Sequence, residues 1–414
     1  MTDVIVLGAG IAGVAAALHL QRRGRAVALV DRQAPGRETS YGNAGIIQSE
    51  AVEPYPMPRD LASLLGVALG RGNDVRYALG ALPGHAGPLL RYWWHSAPAR
   101  HRRLAVAWAG LIARATAEHQ DLMTAAGVPD DLVRRGGFHD MHRSEKKLDA
   151  ETVRAERLHA TYGVKFRRLT PTELLAAEPG LRQAGVGAIH WCDAWAVRDP
   201  GALVEAYANL FARSGGTVVH GDADTLETRP GGGFRVRTAD GPLEAAAVVV
   251  ALGPWSPALL RRFGAAIPML RKRGYHRHYR VWRGLDRPLR DAAFGYVAAP
   301  MAAGLRLTTG AEFSGIEAPA TPVQLGRAEQ AARDLVDLGP PVENAPWLGT
   351  RPCLPDMLPL IGEAPGHAGL WLHFGHGHQG FTLGPATGRL LAEMMTGETP
   401  VVDPAPFRPE RWWR

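Results

Sequence analysis

The stretch Val6-Leu7-Gly8-Ala9-Gly10-Ile11-Ala12-Gly13 decides the fold of this chain. Its glycines stand at the spacing G-x-G-x-x-G, after an apolar run over 4–7 and before a helical pattern over 14–23. Gly8 permits a tight turn, Gly10 lets the backbone approach a pyrophosphate, and Gly13 lets helix and strand pack closely. A second apolar run over 26–30 completes a strand, turn, helix, strand unit and leads into Asp31, eighteen positions after Gly13. A carboxylate there is placed to accept hydrogen bonds from an adenosine ribose. The glycines alone are a weak signal; between two apolar strands and with Asp31 they read as a dinucleotide site.

Working outward, 414 residues suffice for two domains and a large core. With 46% hydrophobic and 21% charged residues the composition is that of a soluble globular protein. The formal charge of +7 comes from 47 basic residues, of which only Lys146, Lys147, Lys165 and Lys272 are lysines. Both signs are interspersed and no basic run carries stacking aromatics, so nucleic acid is not an expected partner and an anionic substrate is the better use of the excess. Cys192 and Cys353 are too few for a disulfide framework or a cysteine zinc site, which fits a reducing compartment. No signal peptide is expected, because the first strand runs straight into the glycine turn. The longest apolar runs, 61–70 and 104–113, fall short of the ~20 residues that span a bilayer, although either can lie on a membrane surface. The expected location is cytoplasmic, with peripheral contact at the inner face of the membrane left open.

A glycine-, serine- and proline-rich stretch covers 33–60, and a largely helical region follows to about residue 127. Beyond it the pattern predicts strands over 137–142, 187–191, 217–220, 234–238 and 246–252, and helices over 144–162 and 200–214, with Pro200 in a first helical turn. The strands 271–282 and 304–309 alternate polar and apolar residues, as in an antiparallel sheet. Near the C-terminus a strand over 370–374 leads into the glycine turn Gly375-His376-Gly377-His378-Gln379-Gly380 and a helix starting near Pro385.

The two ends of the chain argue for a flavin over a nicotinamide. A nicotinamide dehydrogenase would continue with regular βαβ units, whereas here Thr39-Ser40-Tyr41-Gly42-Asn43-Ala44-Gly45 follows, a loop of small residues and donors suited to a large planar ring. The second glycine turn opens a helix whose positive end can stabilise negative charge on a reduced flavin.

On the glycine turn with Asp31, the 39–45 loop, Arg273-Gly274-Tyr275-His276, Trp347-Leu348-Gly349-Thr350-Arg351-Pro352, Pro355-Asp356, Pro359-Leu360-Ile361-Gly362 and the 375–380 turn, the sequence resembles the D-amino acid oxidase superfamily of FAD-dependent amine oxidoreductases. Within it the resemblance is to bacterial D-amino acid dehydrogenases and glyphosate-oxidoreductase-like proteins. Flavin hydroxylases typically carry Gly-Asp followed by Ala-Ala-His late in the chain; here that region reads Ile361-Gly362-Glu363-Ala364-Pro365.

The resemblance implies an α/β fold: a Rossmann-type FAD-binding domain, with an inserted α+β substrate domain of antiparallel sheet plus helices. We assign 1–60, 187–265 and 345–414 to the FAD domain, and 61–186 and 266–344 to the substrate domain. FAD is the implied cofactor, contacted by Gly8, Gly10, Ile11, Ala12, Gly13, Asp31, Arg32, Ser40, Gly42, Asn43, Ala44, Gly45, Ala223, Gly253, Gly377, Gln379, Gly380 and Thr382. Arg351 matches the family's carboxylate clamp, where an arginine fork pairs with both oxygens. In relatives similar to sarcosine oxidase a cysteine near Cys353 holds the flavin covalently; the dehydrogenase branch implies non-covalent FAD and a buried thiol.

On the strand over 270–279, alternation puts Arg271, Arg273, Tyr275 and Arg277 on one face and Lys272, His276 and His278 on the other. Only one face can look at the flavin; Tyr275 is the favoured substrate contact and His276 the second choice. His376 and His378 flank the flavin turn, and with no companion ligand at recognisable spacing no metal is expected there. The implied reaction is hydride transfer from an amino acid α-carbon to flavin N5, giving an imine that hydrolyses in water to a keto acid or aldehyde plus an amine. The substrate is either a D-amino acid or an N-substituted or cyclic secondary amino acid. Oxygen, a quinone or a carrier protein is compatible as electron acceptor. The rival reading is a flavin-bearing subunit of a multi-component, membrane-linked dehydrogenase that needs partners for turnover.

Overall fold

Strand Val4–Leu7 sits inside an eight-stranded sheet, with Val27–Asp31 on one side and Ala247–Val250 on the other, all parallel. The computed structural model describes residues 2–70 and 72–413. Leu370–Phe374 and Thr217–Thr228 extend the parallel set in opposite directions, and antiparallel Leu360–Glu363, Phe234–Thr238 and Gly241–Ala245 complete the sheet. Side chains of the first strand alternate between two cores: Val4 and Val6 join the helical layer, Ile5 and Leu7 the opposite layer. The strand order reverses at Val4–Leu7, which places a ligand crevice at the carboxyl edge of the sheet.

Two helices cover the crevice side by side. Helix Ile11–Gln21 grows from the first glycine turn, and helix Gly380–Thr396 from the second. They pack closely because a Cβ on Gly384 would lie 2.9 Å from Ile11, and one on Gly388 2.8 Å from Ala15. The C-terminal helix begins at Gly380, upstream of the expected start near Pro385, and carries that proline inside. Proline lacks the N–H that would bond the Phe381 carbonyl. His119 of the long helix Pro98–Ala126 supplies the missing donor: its Nε2 lies 2.9 Å from that carbonyl oxygen, while its Nδ1 faces the Tyr207 hydroxyl at 3.0 Å. Burial pushes His119 down to about 4, so the ring is neutral and holds its proton on Nε2.

The second sheet is eleven-stranded and centred on the long strand Leu270–Val281, antiparallel to Gly304–Thr308 as the alternation predicts. Its outer face packs Tyr275, Tyr279, Leu305 and Leu307 under helix Val323–Leu335. Sheet membership shifts two of the expected boundaries. Strand Gly187–Trp191, expected with the FAD segments, pairs with Phe138–His142 in the second sheet, and Trp347–Cys353 pairs with Leu270–Val281 there. Conversely Trp108, Leu111 and Ile112 of the long helix, expected with the substrate domain, lie in the core beside the flanking helices of the first sheet. Apolar runs report burial, but not against which sheet they are buried. No helix among the described residues is long and apolar enough to cross a membrane.

The His119 bond yields a stability test. His119→Leu leaves the Phe381 carbonyl unpaired and costs about 1–3 kcal/mol; adding Pro385→Ala restores an intrahelical donor and recovers much of that loss. Thermal unfolding of the two single variants and the double variant measures the coupling, and strictly additive effects would remove the compensation.

Candidate active site

A cavity of about 440 Å³ runs along the carboxyl edge of the first sheet and under the second. Gly8, Gly10, Ile11 and Ala12 form its floor, where the amino end of helix Ile11–Gln21 carries no acidic residue in its first turn. The Ile11 N–H donates to Ser40 Oγ at 3.0 Å, which ties the 39–45 loop onto the helix end. At one extremity stand Asp31, Arg32, Ala223 and Gly253, with the Arg32 guanidinium 4.5 Å from the centroid of the Trp255 ring. Asp31 accepts the Ala9 N–H at 2.6 Å and the Gln33 N–H at 2.9 Å, so its carboxylate is fixed at the strand end. Toward the other extremity lie His376, Gly377, His378 and Gly380, at the amino end of the second helix. Two helix ends and a row of small residues thus face one elongated space, which fits a dinucleotide with its pyrophosphate on the first helix.

Of the other expected cofactor residues, Gly42, Asn43 and Ala44 border the cavity, whereas Gly13, Gly45, Gln379 and Thr382 act behind it. Gly13 packs on the Gly8 carbonyl and Gly45 on the Val197 carbonyl. Gln379 donates to Gln48 at 2.5 Å, and Thr382 Oγ1 accepts the Gln48 N–H at 3.2 Å, which locks the N-terminal segment to the C-terminal helix.

Arg351 lines the cavity. Its two terminal nitrogens donate at 3.0 Å to the carbonyls of Gly310 and Thr309, and it pairs with no carboxylate among the described residues. Its neighbour across the ladder is Lys272. The guanidinium lies over Gly274, where a Cβ would stand 2.5 Å from Nη1. The face of the long strand that looks at the cavity is therefore that of Lys272 and Gly274.

That assignment corrects the expectation for Tyr275. Tyr275 borders the cavity, yet its ring belongs to the core under helix Val323–Leu335. Its hydroxyl donates to Glu312 at 2.7 Å and accepts from Arg273 at 3.0 Å and from the Thr321 N–H at 2.8 Å. His276 is on the facing side but does not line the cavity; it stacks on Trp347 with centroids 4.8 Å apart and is pushed down to about 2, chiefly by burial. It is a support for the Trp347 wall.

His376 and His378 both border the cavity. Thr387 Oγ1 donates to the Leu383 carbonyl at 2.8 Å and accepts from His373 and His376, each at 2.9 Å. Burial holds His376 at about 4; burial, then the charges of Lys272 and Arg351, hold His378 well below its ordinary value. Both rings are neutral at pH 7. Among the described residues no His, Cys, Asp and Glu cluster suits a metal. Cys353 lies outside the main cavity, and burial pushes its thiol up, away from thiolate.

Three residues escaped the sequence reading. Arg306, reduced by burial to about 10, reaches from the second sheet to the carbonyls of Tyr41 at 2.8 Å and Asn43 at 2.6 Å, binding the flavin-type loop to the other domain. Gln48 borders the cavity and bonds to Glu50, a carboxyl that burial raises to about 7. Only strand alternation carried a signal for Lys272, and it left the choice of face open.

Comparison with known proteins adds an independent line. The family model described as FAD dependent oxidoreductase, DAO, matches residues 3–394. A D-amino-acid oxidase of Bradyrhizobium diazoefficiens is 31% identical over 426 residues, covering 99% of this chain and 98% of the relative. A D-amino acid dehydrogenase of Cereibacter sphaeroides is 31% identical over 431 residues, covering 99% and 95%. Among solved structures, a glycine oxidase from Geobacillus kaustophilus has a TM-score of 0.74 at 23% identity, covering 98% of this chain and 97% of that one. An iminodiacetate oxidase from a Chelativorans species has a TM-score of 0.71 at 23% identity, covering 98% and 99%. At these identities the solved structures establish the shared fold.

The buried histidines give the folded chain a pH signature. His19 is held at about 3, His119 and His376 at about 4 and His276 at about 2, against an ordinary 6.5. Below 6.5 the unfolded chain binds protons that these rings refuse, so stability falls on acidification, by roughly 2 kcal/mol per ring at pH 5. Glu50, raised from 4.5 to about 7, and Asp74, also raised by burial, work in the opposite direction, but His190, His373 and His378 are lowered as well and add to the larger set. Thermal midpoints should drop steadily from pH 7 to pH 5; a flat profile would contradict the neutral assignment.

Proposed function

Because the chain belongs to the DAO family of FAD-dependent oxidoreductases, we propose that it oxidises the carbon–nitrogen bond of an amino acid whose α-carboxylate is held by Arg351. The observation that carries this reading is an arginine in the cavity wall that bonds only neutral carbonyls. Those carbonyls fix the guanidinium fork in place and leave its charge for a ligand carboxylate, so binding also sets the orientation of the α-carbon.

FAD, when bound, supplies the two-electron acceptor for the α-hydrogen. The chain supplies position and protection. Neutral His376 and His378 add no positive charge beside the amine, which favours its unprotonated, oxidisable form. Ile46, Phe138 and Phe381 give the cavity apolar walls that limit water within it. The imine product hydrolyses in water to a keto acid and ammonia, or to a carbonyl compound and a smaller amine when nitrogen is substituted. No strong catalytic base is needed, in keeping with cavity histidines whose lowered proton affinity makes them weak bases.

A second reading concerns where the electrons go next. Helix Leu61–Ala68 buries none of its residues, and Leu61, Leu65, Leu69, Leu90 and Trp94 are exposed nearby in sequence. Arg59 and Arg100 lie 3.7 Å over Trp93 and Trp94. Apolar side chains interleaved with arginine fit the surface of an anionic bilayer. This supports a membrane-docked dehydrogenase with a lipid-soluble acceptor.

Arg351→Met should lower kcat/KM roughly 30- to 150-fold through loss of about 2–3 kcal/mol of charge-assisted binding, with FAD content little changed. Steady-state kinetics and the flavin absorbance per chain separate the two effects; unaltered kinetics would remove the clamp. Binding to anionic vesicles should be weakened by Leu61→Glu with Leu65→Glu, and sedimentation of both proteins equally with neutral and anionic vesicles would overturn the docking.

A further inference from the structure

Beside the main cavity lies a small chamber of about 30 Å³, lined by Tyr92, Trp108, Leu270, Lys272, Cys353 and Met357. Tyr55, His376 and His378 are walls of both spaces. The Lys272 ammonium is the one charged group in its lining, beside neutral His376 and His378 and the side chains of Tyr55, Tyr92 and Gln379. Lys272 is 7% exposed, pairs with no carboxylate among the described residues, and has its Nζ 4.6 Å from the centroid of the Tyr92 ring. The Tyr92 hydroxyl is committed as a donor to the Tyr55 carbonyl at 2.5 Å, which leaves its oxygen free to accept.

Lys272 stands directly opposite Arg351 in the antiparallel ladder. Like charges at facing positions repel, and burial removes the water that would screen them. Elsewhere in this sheet buried Arg273 meets Glu312 at 3.1 Å, and buried Arg306 is held by the carbonyls of Tyr41 and Asn43. Lys272 and Arg351 face each other and, among the described residues, meet no acid. They also diverge. Arg351 leans over Gly274 toward the carbonyls of Thr309 and Gly310, whereas Lys272 extends toward Tyr92 and Cys353. One carboxylate held by the Arg351 fork would leave the ammonium without an anion.

We propose that the substrate carries a second carboxylate, which Lys272 receives in the side chamber while Arg351 holds the first. This rests on the amino acid oxidation argued above and narrows it to dicarboxylic amino acids. The second carboxylate sits either on the side chain, as in an acidic amino acid, or on the nitrogen, as in an N-carboxymethyl amino acid. A chamber of this size admits a single small group, and the ammonium selects its charge. Lys272 is thus a specificity residue with no part in the bond-breaking step.

Acid and amide pairs of equal size test this on the holoenzyme. D-aspartate against D-asparagine and D-glutamate against D-glutamine form the side-chain arm; iminodiacetate against its monoamide forms the nitrogen arm. Wild type should favour the acid in one arm by about tenfold or more in kcat/KM. Lys272→Met should abolish that preference while changing the amides less than about twofold, and Lys272→Arg should keep it. A parallel measurement needs no turnover: succinate should perturb the bound flavin spectrum at lower concentration than succinamate in wild type and in Lys272→Arg, and at the same concentration in Lys272→Met. Neutral amino acids oxidised without any acid preference would overturn the second carboxylate and leave the amino acid reading intact. Charge-selective binding of succinate without oxidation of any amino acid would support the Lys272 site and count against that reading. Equal losses for acids and amides in Lys272→Met would reduce Lys272 to a packing residue and overturn the proposal.

Discussion

The close approach of helices Ile11–Gln21 and Gly380–Thr396 is the constraint on which the site depends. Each follows a strand of the parallel sheet and a glycine-rich turn, and each points its amino end into the same cavity. Gly384 and Gly388 against Ile11 and Ala15 allow that contact. Any larger side chain there would separate the two helices and pull apart two positive helix ends that must act on one extended cofactor. The His119 bond to Phe381 belongs to the same device, since it keeps the C-terminal helix regular in its first turns despite Pro385.

The second domain adds charge to this frame. Arg306 holds the 39–45 loop by its carbonyls, so the loop that faces the cavity is anchored in both domains. Buried Arg273 is matched with Glu312, and half-exposed Arg290 with Asp140. Arg351 and Lys272 face each other across the ladder and meet no carboxylate among the described residues. A positively charged wall beside neutral histidines suits the proposed substrate, an anion whose amine is unprotonated.

The dinucleotide half of the site was legible because its signals are local. The glycine spacing, Asp31 and the 375–380 turn each act within a few residues of backbone, and the parallel sheet brings them together in the expected way. The long strand was legible as a strand but not in its orientation. Alternation divides Leu270–Val281 into two faces with equal clarity, and the polar residues on both gave no reason to prefer Lys272 over Tyr275. The hydroxyl of Tyr275 proved to be occupied by Glu312 and Arg273, partners distant in sequence or on the same face. Gly187–Trp191 reads as a strand from its residues but belongs to the other sheet, because a strand's partners are set by tertiary packing. Arg306 had no local signature, since its role is defined by carbonyls more than two hundred residues away.

We propose that this chain binds FAD between two helix ends and passes electrons to it from an amino acid fixed by Arg351. Anaerobic addition of D-, L- and N-substituted amino acids to the purified yellow protein tests it most directly. Loss of the oxidised flavin absorbance is expected with at least one of them, and no bleaching by the corresponding amine that lacks the carboxylate. A flavin that stays oxidised with every amino acid, or that is bleached equally by the carboxylate-free amine, would contradict it.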